Sequence, residues 1–367
     1  MTLAMRLELR AVHKSFGATR AVNGVDLAIG QGEFVSLLGP SGCGKSTLLS
    51  IITGLVAQDA GDIRVDGRVV NDVPAQKRGL GLVFQDYAVF SRLTVQENLA
   101  FGLKARATPR AERERRLAAM ARRLDLEPLM PRRGASLNMS EMQRVAIARA
   151  LVVEPELLLL DEPMSNLDAA VRMALRTELK RIQTDLGQTI LYVTHDQAEA
   201  MAMSDRIAVM DAGRIVQIGS PEEIYRRPST RFVAEFIGDP PMNMVACEVL
   251  RDGDSVAVRT ALHGPFSAKA SNVGAGNATL GIRPHDVRLC EAGSPDAALA
   301  TVLDVENLGS EYIAYVGYGD AVLAAVVHAG AVAPGDRVWI TLDVSMLQLI
   351  VGDDLVLRPF SRESRHA

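Results

Sequence analysis

The sequence predicts two folded parts: an α/β domain built on a parallel sheet, with an antiparallel β layer and a helical insertion, and then an all-β domain. Short apolar runs alternate with amphipathic helical segments in the first part, an order typical of parallel sheets. An arginine- and glutamate-rich segment interrupts this order at about residues 91–155. After about residue 238 the pattern changes to short alternating runs separated by glycine and aspartate, which is typical of a small barrel or sandwich.

Composition and charge limit the classes of protein to which the chain can belong. Its 367 residues suffice for two domains, and 48% are hydrophobic and 23% charged, as in soluble globular proteins. The net charge of −4 gives no reason to expect nucleic acid as a partner. Three cysteines without paired or metal-ligand spacing favour a reducing cytosol. The N-terminus has no signal-peptide core, and no apolar stretch reaches the ~20 residues of a membrane span. Any work at a membrane would therefore depend on other subunits.

The first elements of the α/β part are predicted from alternation and turn residues. Segments Arg6–Val12 and Ala21–Ile29 alternate like half-buried strands, and Ile63–Val70 is predicted to be a hairpin with Asp-Gly at its turn. These strands would form the antiparallel layer. In the insertion, Arg110–Leu126 carries apolar residues at helical spacing, and its charged residues would face solvent.

A glycine-rich run follows a short apolar strand near the start of the chain. The run Gly39–Thr47 fits G-x-x-x-x-G-K-[ST], the phosphate-binding loop. Glu33–Leu38 before it is apolar like a buried strand, and Leu48–Ile52 after it begins a helix that should end near Gly54. Backbone N–H groups of such a loop surround phosphates, and the helix N-terminus adds a favourable dipole.

Each position of this loop then has an expected role in nucleotide binding. Lys45 should reach the β- and γ-phosphates of ATP, and the Ser46 hydroxyl should ligate Mg²⁺. Cys43 is expected to be a small loop filler rather than a reactive thiolate. The residues predicted to bind ATP within the loop are Ser41, Gly42, Cys43, Gly44, Lys45, Ser46 and Thr47.

A second acidic motif completes the expected chemistry. Leu157–Leu160 is an apolar strand that ends in Asp161 and Glu162, and the helix Val171–Leu186 separates it from another apolar strand, Ile190–Val193. Carboxylates at the carboxyl end of a buried parallel strand lie at the ligand edge of the sheet. Asp161 is predicted to hold Mg²⁺, and Glu162 to orient and deprotonate the attacking water.

With these motifs, the chain resembles an ATP-binding-cassette (ABC) import ATPase over nearly its whole length. Further stretches carry the resemblance, and each implies a role. Phe16 lies where the family stacks an aromatic ring on adenine, and Gln85 matches the Q-loop glutamine, which contacts Mg²⁺ and signals to the membrane subunits. Ser165–Asp168 matches the D-loop, and His195 the switch histidine that touches the γ-phosphate. The resemblance thus makes the first domain a phosphate-loop NTPase of the ABC type, with Glu162, His195 and Gln85 catalytic.

The tail narrows the resemblance to the maltose and glycerol-3-phosphate importer group. The stretches Phe236–Asn243, Gly281–Asp286 and Val305–Glu311 are similar to that group, whereas polyamine and iron importers lack its Pro-Pro-Met-Asn junction. The group implies a C-terminal domain of oligonucleotide-binding-like (OB-like) barrels that serves dimerisation and regulation and binds no nucleic acid. We expect an ATPase domain at 1–238, with its helical subdomain at about 91–155, and the OB-like domain at 239–367.

The signature loop is where the sequence departs from the family. The family reads Leu-Ser-Gly-Gly-Gln, and this chain reads Leu137-Asn138-Met139-Ser140-Glu141. We expect Ser140 to cap the following helix, with Gln143 completing a capping box. Met139 replaces a glycine and Glu141 adds a negative charge near the phosphate that this loop contacts in the opposite subunit, where Asp168 also belongs. Ser91-Arg92 also replaces the family's Pro-His.

The sequence therefore predicts the ATPase subunit of a solute importer, with ATP and Mg²⁺ bound between two head-to-tail cassettes. The divergent loop favours a heterodimer whose partner has an intact loop, and a homodimer that tolerates the change is the alternative. The expected partners are integral membrane subunits and, indirectly, an extracytoplasmic solute-binding protein, with the chain peripheral on the cytoplasmic face of the inner membrane. The cargo would be a carbohydrate, polyol or glycerophosphate. The alternatives are a polyamine importer, an ATP-gated regulatory cassette with little turnover and, less favoured, a soluble cassette acting on DNA or ribosomes.

Overall fold

The computed structural model describes residues 4–165, 167–252, 255–260, 266–269, 274–294, 297–309, 311–319, 321–357 and 361–362. The chain divides into two compact units between Pro221 and Glu222. The expected domain boundary after Gly238 remains a prediction. In the structure, the segment before it is tied to the second unit by Arg283, whose guanidinium donates hydrogen bonds to the carbonyls of Tyr225 and Ala234.

The first unit contains three layers of secondary structure: a mixed sheet, an antiparallel sheet and a group of helices. Its strands are β1 Met5–Phe16, β2 Thr19–Gly30, β3 Phe34–Leu38, β4 Ala60–Val65, β5 Arg68–Val69, β6 Leu80–Val83, β7 Leu157–Asp161, β8 Thr189–Thr194, β9 Arg206–Asp211 and β10 Arg214–Gly219. Its helices are α1 Lys45–Thr53, α2 Val95–Ala105, α3 Arg110–Arg123, α4 Met139–Leu151, α5 Ala169–Leu186 and α6 Gln197–Met203.

The core sheet has the strand order β10-β9-β3-β8-β7-β6. Pairing is parallel from β9 to β6, and only β10 is antiparallel to its neighbour. Both faces of this sheet are covered, which explains why its strands are continuously apolar. In β7, for example, Leu157 and Leu159 pack with the antiparallel layer, and Leu158 and Leu160 pack with the helices, because side chains alternate along a strand. The expected parallel core is confirmed.

The antiparallel sheet has the order β2-β1-β4-β5, as the alternating segments predicted. Strands β4 and β5 form the expected hairpin, in which Val65 pairs with Arg68. The turn between them has Asp66 at φ +46° and Gly67 at φ +74°. A two-residue turn with both φ values positive follows the right-handed twist of the strands, and Asp-Gly is a preferred pair there.

The helical insertion consists of α2, α3 and α4, which pack on the second face of the core sheet. Leu99, Leu117 and Val145, one from each helix, are buried in the same cluster as Leu158. Helix α2 begins with a capping box in which Thr94 accepts a hydrogen bond from the Glu97 N–H. The arginine-rich face of α3 is exposed, and some of its charges pair within the helix, as in Arg115 with Glu112. This agrees with a solvent-facing charge pattern.

The second unit is mainly β structure. Its helices are α7 Pro221–Arg226, which begins one residue before the unit boundary, and α8 Arg231–Phe236. Its strands are β11 Asn243–Asp252, β12 Ser255–Thr260, β13 Phe266–Lys269, β14 Gly276–Ile282, β15 Val287–Cys290, β16 Ala298–Asn307, β17 Tyr312–Tyr318, β18 Ala321–Val327, β19 Arg337–Leu342, β20 Gln348–Val351, β21 Asp354–Leu357 and β22 Ser361–Arg362. They form two sheets, in the orders β21-β20-β14-β11-β12-β13-β22 and β15-β19-β16-β17-β18, whose apolar faces share one buried cluster. The expected all-β domain is confirmed.

Candidate active site

Four neighbouring strands of the core sheet bring the predicted site residues to one edge. Strand β3 leads into the phosphate loop, β8 into His195, β7 into Glu162 and β6 into the Gln85 segment. Leu38 pairs with Thr194, and Asp161 pairs with Val193, so these strands end at nearly the same level. The carboxyl edge of a parallel sheet is the usual place for ligands. Segments distant in sequence thus meet where the motifs predicted.

The phosphate loop depends on glycine because of its close approach to neighbouring backbone. Gly44 has φ +109°, and a Cβ atom there would lie 2.2 Å from the carbonyl oxygen of Ala21 in β2. At Gly39 a Cβ would lie 2.2 Å from the carbonyl oxygen of Met210 in β9. Real Cβ atoms essentially never come within 3.0 Å of other atoms, so only glycine fits at both positions.

Lys45 lies inside the loop rather than in solvent. Its side chain is 5% exposed, and its Nζ donates hydrogen bonds to the carbonyls of Gly39 and Pro40 at 2.8 and 3.0 Å. The ammonium group is therefore positioned by the loop itself. Of the other loop residues, Ser41 and Ser46 are exposed and Thr47 is half-buried.

Cys43 is buried in this loop, as expected for a filler residue. Burial raises the pKa of its thiol, and the nearby Lys45 charge lowers it less. The Sγ atom lies 3.9 Å from the Lys45 Nζ. The thiol form is thus favoured over the thiolate, which agrees with a structural role.

Asp161 and Ser46 form the candidate Mg²⁺ site. Burial, and then the neighbouring Glu162 charge, raises the pKa of Asp161, whereas Lys45 and a hydrogen bond from Ser46 oppose this. The Oδ1 atom of Asp161 is buried and has no hydrogen-bond partner within the described ranges. A buried carboxylate oxygen without a partner, next to a hydroxyl, fits a hard cation that prefers oxygen ligands. Within the same ranges, no group of three or more His, Cys, Asp or Glu side chains could hold a metal ion.

Glu162 and His195 form a direct contact across β7 and β8. The Nδ1 atom of His195 lies 3.1 Å from the Glu162 Oε2 atom, and the imidazole is more exposed than the carboxylate. Glu162 has φ +43°, and its N–H donates to the Val193 carbonyl at 2.9 Å. A non-glycine residue in the left-handed region costs on the order of 1–3 kcal/mol and is common at functional sites. The backbone thus directs this carboxylate toward His195.

Gln85 reaches the acidic motif indirectly. Its Nε2 donates to the Ser165 hydroxyl at 3.3 Å, and this hydroxyl donates to the Glu162 carbonyl at 3.1 Å. Within the described chain, no hydrogen bond joins Gln85 to Asp161 or Ser46. The backbone after Gln85 has two positive φ values, at Tyr87 and Ala88.

Phe16 is the residue predicted to stack on adenine. Its ring is 53% exposed at the end of β1, and the Lys14 Nζ lies 5.5 Å from the ring centroid. Lys14 is itself held by Asp59 at 2.7 Å. The ring is thus accessible to a planar ligand, and the adenine-stacking role that the family resemblance implied stays a prediction.

The expected cap of α4 was wrong. The N-cap is Asn138, not Ser140, and its side chain accepts a hydrogen bond from the Glu141 N–H at 2.9 Å. Glu141 completes the capping box by accepting from the Asn138 N–H at 2.9 Å. Gln143 is buried, and its side chain donates to the Pro163 carbonyl instead. Capping boxes form between the N-cap and N3, and Asn138 and Glu141 hold these positions because the helix begins at Met139.

The signature and D-loop residues lie at the starts of two helices. Met139 is 41% exposed and Ser140 is half-buried at the first turn of α4. Asp168 is the N-cap of α5 and accepts from the Val171 N–H at 3.0 Å. Asn166 of the D-loop lies outside the described residues.

Sequence reasoning missed two residues that support the site. Glu199 is buried and accepts hydrogen bonds from the hydroxyls of Tyr192 and Thr194 at 2.7 and 2.9 Å. Thr194 directly precedes His195 in the chain, so these bonds hold the segment that leads into the histidine. Burial, and then this carboxylate, raises the pKa of Tyr192 well above its ordinary value. Arg149 donates to the carbonyls of Tyr87 and Ala88 and so holds the segment after Gln85. The only sequence signal was the presence of charged residues on helices that must face the core.

Comparison with known proteins identifies the family. The profile described as "ABC transporter" matches residues 22–165, and the profile described as "TOBE domain" matches residues 280–350. The chain is 41% identical to the sn-glycerol-3-phosphate import ATP-binding protein UgpC 1 of Rhizobium johnstonii, over 95% of this chain and 94% of that one. This chain belongs to the ABC import ATPases.

Further comparisons agree with this membership. The alpha-glucoside transport ATP-binding protein AglK of Rhizobium meliloti is 42% identical over 94% of this chain and 96% of its own length. A solved structure of the ATP-binding cassette MJ0796, a dimer in a post-hydrolysis state bound to ADP and Pi, is 32% identical with a TM-score of 0.53. It covers 59% of this chain and 98% of its own length. This ABC chain is thus an ATP-binding, ATP-hydrolysing subunit of the carbohydrate-uptake group, as the motifs indicated. Among the described helices, none combines the length and hydropathy that crossing a bilayer requires.

Proposed function

We propose that this ABC ATPase drives import of a carbohydrate, polyol or glycerophosphate-type solute through separate membrane subunits. The observation that carries the proposal is the contact of Glu162 with His195 beside the phosphate loop, at one edge of the core sheet. The class of solute rests on relatives named for sn-glycerol-3-phosphate and alpha-glucoside. The chain itself offers no solute site in this proposal, because the choice of cargo belongs to the other subunits.

ATP would bind with its phosphates in the loop from Ser41 to Thr47 and its adenine on Phe16. The loop N–H groups face the phosphates, and Lys45 adds a positive charge for the β- and γ-phosphates after leaving the carbonyls that hold it. Mg²⁺ would be held by Ser46 and Asp161, with Gln85 joining through movement of its segment. The ion supplies charge neutralisation at the β- and γ-phosphate oxygens.

The proposed reaction is an in-line displacement with Glu162 as the general base. As the water oxygen attacks the γ-phosphorus, its proton passes to the Glu162 carboxylate, and the bond to the β–γ bridging oxygen breaks with its electron pair leaving on ADP. The proton on Glu162 then returns to phosphate or solvent. The Nδ1 contact at 3.1 Å lets His195 orient the carboxylate, while the exposed remainder of the ring is available to the γ-phosphate.

A second ATP-binding chain would complete each site, head to tail, with its signature loop and Asp168 across from the nucleotide. ATP binding would close the pair, and this closure would drive the membrane subunits. Hydrolysis would then reopen the pair. The pair is either a heterodimer, as the divergent loop suggested, or a homodimer. The expectation of a heterodimer depended partly on the Glu141 charge, and the pairing of that carboxylate with Arg132 weakens this argument.

The chain would then work at the cytoplasmic face of the inner membrane, bound to integral subunits and, through them, to an extracytoplasmic solute-binding protein. The test is purification in detergent from membranes of cells that express a tagged chain. Integral membrane subunits should co-purify, and the complex in vesicles should accumulate a carbohydrate or glycerophosphate when ATP is supplied. A chain recovered without membrane proteins, or with ribosomes or DNA, would contradict the proposal.

A further inference from the structure

We propose that Arg132 is a positioning residue that neutralises Glu141, so that the divergent loop 137–141 can contact ATP bound to a second copy of this chain. The inference rests on the proposed function, in which this loop faces the γ-phosphate of the opposite subunit. It goes further by assigning a role to a residue outside every motif, and it takes the homodimer of the two alternatives as its premise. The bonds that Glu141 makes carry this inference.

Both carboxylate oxygens of Glu141 are used within its own subunit. Oε2 accepts the Asn138 N–H at 2.9 Å, and Oε1 accepts from the Arg132 Nη1 at 2.8 Å. The second Arg132 nitrogen donates to the Ser136 carbonyl. The Glu141 side chain is 14% exposed, whereas that of Arg132 is 40% exposed. The carboxylate therefore faces inward, and its charge is paired with a guanidinium on the same side of the loop.

This pairing removes most of the repulsion expected between the Glu141 carboxylate and a phosphate of the opposite subunit. A lone carboxylate facing a phosphate in a desolvated interface would repel it strongly, because the effective dielectric constant there is low. With Arg132 in contact, the loop carries no net charge from this pair. A glutamine in place of Glu141 would keep an oxygen for the Asn138 N–H and would need no arginine. Arg132 is thus required only because residue 141 is acidic.

The loop also keeps donors that could meet a phosphate. The Oδ1 atom of Asn138 is occupied by the cap, but its Nδ2 group makes no hydrogen bond within the described chain and remains free to donate. Met139 is 41% exposed, so its flexible side chain lies at the surface and must turn aside as a phosphate approaches. The donor that the family takes from serine is therefore supplied here by the Asn138 amide, once the Glu141 charge is neutralised.

The experiment measures ATP-driven self-association of the full chain in a Glu162→Gln background, where hydrolysis does not dissolve the pair. Analytical ultracentrifugation with Mg²⁺ and ATP gives the dimer dissociation constant. We expect the parent chain to dimerise and Arg132→Ala to weaken the dimer at least about tenfold, since removing one partner leaves a desolvated charge unpaired. Arg132→Ala with Glu141→Gln should recover most of the affinity, and Arg132→Lys should retain much of it. Arg133→Ala, an exposed neighbour, is the matched control and should have no effect.

The recovery separates charge neutralisation from a merely structural role. If Arg132 only supports the loop through the Ser136 carbonyl, Glu141→Gln cannot restore what Arg132→Ala loses. Equal loss in the single and double variants would overturn the proposal, as would an Arg132→Ala chain that dimerises like its parent. A parent chain that binds ATP yet stays monomeric would also overturn it while leaving the proposed ATP site intact. A chain that binds no ATP would contradict the proposed function itself.

Discussion

Replacing Gly44 by alanine should weaken nucleotide binding strongly while leaving most of the first unit folded. The added Cβ would lie 2.2 Å from the Ala21 carbonyl oxygen and 2.9 Å from a methyl carbon of Met210, where contacts under 3.0 Å essentially never occur. The nearer atom belongs to backbone of a strand, so it cannot rotate away as a side chain would. The loop itself must move by most of an ångström.

The size of the effect follows from two contributions. At φ +109° an alanine is strained, which costs about 1–2 kcal/mol of stability. The clash also displaces the N–H groups that surround the phosphates, and losing one hydrogen bond to a charged group costs roughly 1.5–3 kcal/mol, or about 10- to 100-fold in affinity. We therefore expect ATP affinity to fall by about 100-fold. The control is Gly67→Ala in the β4–β5 turn, where φ is +74° and nothing lies within 4 Å of the added Cβ.

The assay is equilibrium binding of a fluorescent ATP analogue to the full chain, with thermal melting of each variant. Gly67→Ala should lower the melting temperature by a few degrees, as expected for about 1–2 kcal/mol in a unit of this size, and leave affinity unchanged. Gly44→Ala should lose affinity far beyond any change in melting. Normal binding by Gly44→Ala, or equal loss of binding in both variants, would refute the reasoning from backbone clash.

Three other predictions follow from single contacts. Lys45→Ala should weaken ATP binding by about 10- to 100-fold, since a charge-assisted bond of roughly 1.5–3 kcal/mol is lost, and an unchanged affinity would count against the loop assignment. Burial raises the pKa of Asp161, so the gain in ATP affinity on adding Mg²⁺ should decline on acidification at a higher pH than for an exposed aspartate. Asp161→Asn should remove that gain at every pH. Titration calorimetry with and without Mg²⁺ measures it, and a gain that persists in Asp161→Asn would contradict the assignment of Asp161 to the Mg²⁺ site. Arg283→Met should lower the free energy of unfolding of the second unit by about 3 kcal/mol or more, because buried carbonyls lose their hydrogen-bond donor. Calorimetric melts measure this loss, and binding assays should show an unchanged ATP affinity. Arg283 is only 3% exposed, and this burial lowers the pKa of its guanidinium to about 10.

The fold was largely predictable because its strongest signals are local. Two motifs can be recognised together with their flanking secondary structure in one continuous stretch of sequence. They are the glycine-rich loop between a strand and a helix, and the apolar strand that ends in Asp161 and Glu162. Alternation predicted the antiparallel layer, and Asp66-Gly67 predicted its turn. The neighbouring strand ends were also predictable in outline, because parallel strands share a carboxyl edge.

The features that the sequence did not predict are mostly contacts between distant segments. Two capping boxes fit this stretch of sequence, Asn138 with Glu141 and Ser140 with Gln143, because asparagine and serine are about equally favoured at the N-cap. The structure uses the first, and the pairing of Glu141 with Arg132 that accompanies it is invisible in sequence. Glu199 looked like an ordinary helix residue, and only the structure shows it buried under the Tyr192 hydroxyl. The link from Gln85 to Glu162 through Ser165 likewise depends on how three loops meet.

The central claim is that Glu162 is the base for ATP hydrolysis, and phosphate release by the purified transport complex tests it most directly. Glu162→Gln keeps the shape of the side chain but cannot accept the proton from water. We predict that steady-state phosphate release falls by ~10²–10⁴-fold while ATP binding is retained. A Glu162→Gln complex that releases phosphate at nearly the rate of the unaltered complex, with ATP bound normally, would contradict the account.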